Sequence, residues 1–207
     1  CIAQYLKDSG ISITSKTKIM TTTGIKEIEY DSNDSITISM GKINFDSHLI
    51  PMNALHHTNH EFIKQNIEID GTKILVSAAN IGNPHLLVHS DNVRHLAEKL
   101  QKHEFFPNQV NVEFYTVHDN RHISLKVFER GAGWTLACGT GACASVAMLF
   151  KSNVLIYEGD SQKSQSVKVD LPGGSAYVSV AKDYSQSWLT GTAKLVFSGN
   201  IEISENL

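Results

Sequence analysis

The chain has 207 residues, is 41% hydrophobic and carries a formal net charge of −3 from 18 Lys and Arg against 21 Asp and Glu. That is enough for one sizeable core or two small domains. The dispersed basic residues exclude a nucleic-acid groove, no apolar run reaches membrane-spanning length, and three cysteines do not make a disulfide framework.

Ile2, Tyr5 and Leu6 recur at helical spacing and Gly10 fits a C-terminal cap, so the chain starts in a short helix. The opening residues do not form a secretion signal, and the expectation is a reducing, cytoplasmic setting. Ile11 to Met40 reads as strands. Ile11 and Ile13 alternate with polar residues, Gly24 interrupts, and Ile36, Ile38 and Met40 alternate again, with Asp31-Ser32-Asn33-Asp34 as a turn. A small antiparallel sheet follows. Residues 41–66 are irregular and connect two halves. His56, His57 and His60 lack a carboxylate or thiol at a familiar ligand spacing, so no metal is expected.

Ile67 to Ile69, Gly71 and Lys73 to Val76 make a hairpin, and Leu86-Leu87-Val88 a short buried strand. Between them Gly82-Asn83-Pro84-His85 places an amide and an imidazole at a strand end, where Pro84 biases Asn83 to an extended backbone. Val93 to Lys102 has the apolar face Val93, Leu96, Ala97 and Leu100 of an amphipathic helix, with Asp91 as N-cap. Asn111 to Val117 is a strand, and Ile123, Leu125 and Val127 line one face of the return strand.

The richest stretch runs from Phe128 to Phe150: FERGAGWTLACGTGACASVAMLF. Gly131 and Gly133 let the chain turn, and Ala142 to Phe150 suits a buried helix. Cys138 stands where that helix begins. The first N–H groups of a helix have no internal partner and carry partial positive charge, which favours a thiolate and a bound carboxylate. Gly139 and Gly141 let a ligand approach the backbone, so Cys138 is a candidate base or nucleophile beside an anion cradle, unless it is a small buried hydrophobe; Cys143, inside the helix, reads as packing. Beyond it, Val167 and Val169, Tyr177 to Val180, Trp188 to Phe197 and Ile201 to Ile203 read as strands. The polar stretch Asp160 to Gln165 and the turn Leu171-Pro172-Gly173-Gly174 separate them.

Glu129-Arg130-Gly131-Ala132-Gly133 followed by Leu136-Ala137-Cys138-Gly139-Thr140-Gly141-Ala142-Cys143-Ala144 resembles the second catalytic motif of diaminopimelate epimerase. Trp134 stands where members commonly carry Glu. Gly82-Asn83-Pro84-His85, Asn111 in Val-Asn-x-x-Phe, Leu171-Pro172-Gly173-Gly174-Ser175 and Leu189-Thr190-Gly191-Thr192-Ala193 are similar to further segments of the family.

The resemblance implies a cofactor-independent epimerase that interconverts L,L- and meso-2,6-diaminopimelate with two cysteines, in lysine and peptidoglycan biosynthesis. Cys138, Glu129 and His85 are then catalytic; Asn83, Asn111, Glu129, Arg130, Gly139 and Thr140 hold the substrate; and no cofactor is needed. It implies an α+β fold of two pseudo-symmetric domains with the site in the cleft between them, and a homodimer. Residues 1–45 would be the remnant of an incomplete first domain, 46–195 the second, and 196–207 a strand returning towards the first.

In the family an earlier Cys-Gly-Asn-Gly-x-Arg-Cys segment carries the partner thiol. Cys1 aligns with its last cysteine, so that thiol is expected upstream, and the 207 residues alone are expected to turn over poorly. A related racemase of the same fold, or a non-catalytic binding fragment, is the competing reading.

Overall fold

The computed structural model describes residues 1–11, 16–21, 24–30, 35–53, 60–90, 92–158 and 165–202. The expectations for Ile13, the Asp31–Asp34 turn, His56, His57, Asp91, Ile203 and most of the 160–165 loop fall outside them.

The molecule is built on one long sheet around a single buried helix. Strands β1 (Lys16–Thr21), β2 (Gly24–Tyr30), β3 (Ile36–Ser39), β4 (Gln65–Ile69), β5 (Thr72–Asn80), β6 (Pro84–Val88), β7 (Asn111–Asp119), β8 (His122–Glu129), β9 (Gly133–Thr135), β10 (Ser166–Leu171), β11 (Gly174–Val180) and β12 (Ser187–Gly191) are joined by helices α1 (Ile2–Asp8), α2 (Ala97–Gln101) and α3 (Gly139–Lys151). Their order in the sheet is β1-β2-β3-β12-β11-β10-β8-β7-β6-β5-β4, with β9 paired to β8. Two pairs, β6–β7 and β10–β8, are parallel; the others are antiparallel. This is the expected mixed α+β architecture. The pairing of β12 with β3 stitches the N-terminal strands to the rest of the sheet.

Helix α3 shows why the stretch 142–150 is so uniformly small and apolar. Every residue from Gly141 to Phe150 is buried. A helix hydrophobic all round has protein on every side, and α3 touches β5, β6, β7, β11 and β12. Ile123, Leu125, Val127, Val167, Val169, Val178 and Val180 pack with it in one core. The opposite face of β5 to β7 faces a second core, with Val76, Ala78, Leu86, Val88, Val112 and Phe114 against Leu96, Leu100 and Phe106. Strand β6 lies between the two cores, so all five of its residues are buried, as a strand covered on both faces requires. The β4–β5 hairpin turns through Asp70 and Gly71, both at positive φ, the geometry of a tight type I′ turn.

Three expectations change. The helix read over Val93–Lys102 is a 3₁₀ turn, Arg94–Leu96, followed by the five residues of α2. The apolar spacing is kept, because Leu96, Ala97 and Leu100 still reach the second core. The apolar stripe of α1 is not packed: Ile2 and Tyr5 are exposed and Ala3 is the residue it buries. Its C-terminal cap is as expected, with Gly10 at φ 68° donating its N–H to the Lys7 carbonyl. The strand read over Trp188–Phe197 stops at Gly191, and residues 192–202, including Ile201, form no strand. Both flanks of β12 are already taken by β11 and β3, and the apolar side chains of Val196, Phe197 and Ile201 stand in solvent. No helix among the described residues is long and apolar enough to cross a membrane.

Candidate active site

Three elements converge on the head of α3. Strand β8 ends at Glu129, the chain reverses through Gly131 and Gly133, both at positive φ, and β9 pairs back onto β8 through Phe128 and Trp134. Sequence periodicity missed β9 because it is only three residues long. Trp134 packs its ring against Phe114 and Phe128. Leu136 and Ala137 then lead into Cys138.

Cys138 is the N-cap residue of α3, with extended backbone (φ −139°, ψ 109°), and its sulfur accepts the N–H of Gly141 at 3.4 Å. A side-chain acceptor at this position satisfies one of the orphan amides of the first turn. Thr140 Oγ1 lies 3.5 Å from the same sulfur. Gly139 and Thr140 open the helix, so their N–H groups have no carbonyl one turn earlier, the arrangement that holds a carboxylate.

Burial works against the expected thiolate. The helix head was expected to favour a thiolate. Burial, aided by the Glu113 and Glu129 carboxylates, instead pushes the Cys138 thiol up to about 11, against the lowering effect of Thr140 and Gly141. Desolvation outweighs the partial charge of one helix turn. Cys143 is fully buried, and burial pushes it up to about 12. Cys1 is exposed, in a groove of about 350 Å³ that Ala137 also lines. With a disulfide-exchange reagent at pH 8, one thiol, Cys1, is therefore expected to react fast in the folded chain and all three only in denaturant. Fast reaction of Cys143 would contradict its packed position.

The structure brings most of the expected residues together. Asn83 Nδ2 reaches Thr140 Oγ1 at 3.4 Å, and Asn83 Oδ1 is 3.1 Å from His85 Nε2. Glu129, half-buried, takes the Thr135 hydroxyl at 2.6 Å. Arg130 is exposed and donates from Nη1 to the Asn108 carbonyl at 3.0 Å. Asn111 is more committed than the sequence suggested: its Nδ2 donates to the Pro84 carbonyl at 2.9 Å and its Oδ1 accepts the Arg130 N–H at 2.9 Å. It ties β6 and β7 to the end of β8, and so places Arg130.

One buried partner went unread in the sequence. Glu113, on β7, is completely buried with Oε1 2.6 Å from His85 Nδ1. It alternates with Val112 and Phe114, which face the second core, and therefore looks towards α3 between Leu87 and Val127. A charged residue at the inward position of a strand was the available signal.

His60 stands apart from this site. Its ring, Asp46 and His48 bring one ligand atom each within 4.8 Å of one another on the surface, a grouping that the 56–60 spacing did not show.

The diaminopimelate epimerase family model matches residues 77–196, which include every expected site residue. Along 98% of its length the chain is 32% identical to the diaminopimelate epimerase of Stutzerimonas stutzeri strain A1501, of which it spans 71%. The chain belongs to the diaminopimelate epimerase family. Solved structures repeat the fold at low identity. A hydroxyproline epimerase from Agrobacterium vitis superposes with a TM-score of 0.61 at 18% identity, over 93% of this chain and 61% of that one. A phenazine biosynthesis PhzF family protein from Enterococcus faecalis gives 0.59 at 12%, over 98% and 71%. Cys138, which caps the buried helix, lies within the matched segment.

Proposed function

We propose that the chain is an amino-acid epimerase that interconverts L,L- and meso-2,6-diaminopimelate without a cofactor, and that Cys138 is one of its two acid/base thiols. The observation that carries this is the Cys138 sulfur at the N-cap of a buried helix, with Gly139 and Thr140 opening the turn beside it. An α-proton is weakly acidic, so its removal needs fixed dipoles aimed at the carboxylate where charge develops, in a site that excludes water.

In the proposed step a thiolate takes the α-proton. The C–H electron pair moves towards the carboxylate, held by the amides of Gly139 and Thr140, and a thiol on the opposite face returns a proton to carbon. Burial disfavours the Cys138 thiolate in the free chain, which suits it to the donor's role. In the reverse direction it is the base, and an amino-acid ammonium paired with Glu129 relieves one of the carboxylates that oppose its ionisation. Asn83 and Arg130 orient the substrate's polar ends, and an Arg suits a planar carboxylate. His85 and Asn111 hold the first two in place. Residues 1–45 and 46–195 are read as parts of two pseudo-symmetric domains flanking the cleft. A homodimer, a cytoplasmic setting and a place in lysine and peptidoglycan synthesis belong to the same proposal.

The test is α-proton exchange in heavy water, followed by NMR, over diaminopimelate, proline, hydroxyproline and glutamate. Exchange confined to diaminopimelate supports the reading; faster exchange of another amino acid replaces it with a related racemase. Cys143 supplies a control. It is buried within the helix, and Cys143→Ser is expected to retain most of the exchange at a stability cost of about 1 kcal/mol, small because Ser is of similar size. Loss equal to that of Cys138→Ser would overturn its assignment to packing.

A further inference from the structure

We propose that Glu113 is a positioning residue which, through His85, fixes the Asn83 amide with its NH2 group turned towards the cradle at the head of α3. The inference rests on the epimerase reading for what the amide binds, and on geometry for the rest.

The row of contacts is continuous. Glu113 Oε1 meets His85 Nδ1 at 2.6 Å, His85 Nε2 meets Asn83 Oδ1 at 3.1 Å, Asn83 Nδ2 meets Thr140 Oγ1 at 3.4 Å, and Thr140 Oγ1 meets the Cys138 sulfur at 3.5 Å. Each end constrains the next. Asn83 Oδ1 only accepts, so the ring nitrogen facing it must carry hydrogen. His85 is buried and its other nitrogen lies 2.6 Å from the Glu113 carboxyl, a distance that calls for one proton between them. Whether that proton lies on Oε1 or on Nδ1, the Nε2–H is retained and the pair as a whole is neutral. The amide oxygen of Asn83 is thereby held on the His85 side and its nitrogen on the cradle side.

Packing does not explain Glu113. Its neighbours across the sheet on the α3 face are Leu87 and Val127, and a leucine would fill the position. Its second oxygen, Oε2, is buried with no hydrogen-bond partner among the described residues. The groups facing it are His85 from β6, Glu129 at the end of β8, Cys138 before α3 and the backbone of Leu86. Burial, with Glu129 adding to it, pushes the Glu113 carboxyl up against the lowering effect of His85.

Loss of Glu113 leaves Nδ1 without a partner, and the ring becomes free to take either tautomer. Once Nε2 turns acceptor, the Asn83 amide rotates and presents oxygen to a site built for a carboxylate. Glutamine keeps the arrangement, since its amide donates to Nδ1; leucine does not.

The experiment is ¹⁵N NMR of the histidine-labelled 207-residue chain, wild type, Glu113→Gln and Glu113→Leu, with His85→Gln to assign the signals. Each protein is then titrated with meso-diaminopimelate, and thermal melts check that each is folded. The expected result is a protonated Nε2 in wild type and Glu113→Gln, tautomer averaging in Glu113→Leu, and binding about tenfold weaker in the leucine variant only, the equivalent of one oriented hydrogen bond. A fixed Nε2–H in folded Glu113→Leu overturns the proposal, as does averaging in Glu113→Gln or in wild type. Should the leucine variant fail to fold, the wild-type and glutamine rings decide alone. The expected ring behaviour with no diaminopimelate binding by wild type would count against these 207 residues forming the diaminopimelate site by themselves and leave the positioning role of Glu113 standing.

Discussion

Cys138→Ser is expected to lower α-proton exchange into diaminopimelate by about 10²- to 10⁴-fold, the range over which a positioned acid/base contributes. A hydroxyl is nearly the same size as a thiol but far less able to ionise, so chemistry is lost while shape is kept. The position makes the experiment clean. Cys138 caps α3 by accepting the Gly141 N–H, and serine is a better N-cap than cysteine. The melting temperature should therefore hold or rise slightly as exchange disappears. A variant that loses both stability and exchange would point to a structural cysteine.

Gly141→Ala is expected to destabilise the chain by about 1–3 kcal/mol, the usual cost of overpacking, although alanine is the better helix former by about 1 kcal/mol. The added methyl would sit 2.9 Å from Glu113 Oε1, 3.2 Å from the Cys138 sulfur and 3.3 Å from its Cβ. None of these atoms is free to move: Glu113 is buried against His85, and the cysteine caps the helix. The Glu113 carboxylate must shift and the sulfur must give by a few tenths of an ångström, so α-proton exchange is expected to fall together with stability. Gly139→Ala is the contrast. Its methyl would meet Leu189 Cδ2 at 2.8 Å, the end of a side chain that rotates away, so the loss should stay below about 1 kcal/mol. Denaturant melts of the two variants test the order, and a reversed order would mean that the head of α3 is less tightly packed than its contacts imply.

Much of this site was legible in the sequence because its parts are local. The turn at Gly131 and Gly133, the cysteine before a run of small residues and the Asn-Pro-His turn each announce themselves within a few residues, and each lies where it was expected. The strands of the two hairpins, β4–β5 and β7–β8, followed from alternation and turn residues. What was not legible depends on distant segments. Glu113 and His85 are 28 positions apart and become partners through the parallel β6–β7 pairing, which periodicity does not encode. The upward push on the Cys138 thiol follows from the cores closing over it, and Asp46, His48 and His60 meet through an irregular connection. The apolar spacing in α1 and in residues 195–201 misled in the other direction, since spacing alone does not supply a packing partner.

The central claim is that Cys138 moves the α-proton. Its most direct test is the rate at which deuterium from solvent enters the α-position of diaminopimelate, measured by NMR for wild type and Cys138→Ser. Deuterium is expected to enter with inversion in wild type, and essentially none with inversion in a folded Cys138→Ser protein. Exchange with inversion at the wild-type rate in the serine variant would contradict the claim.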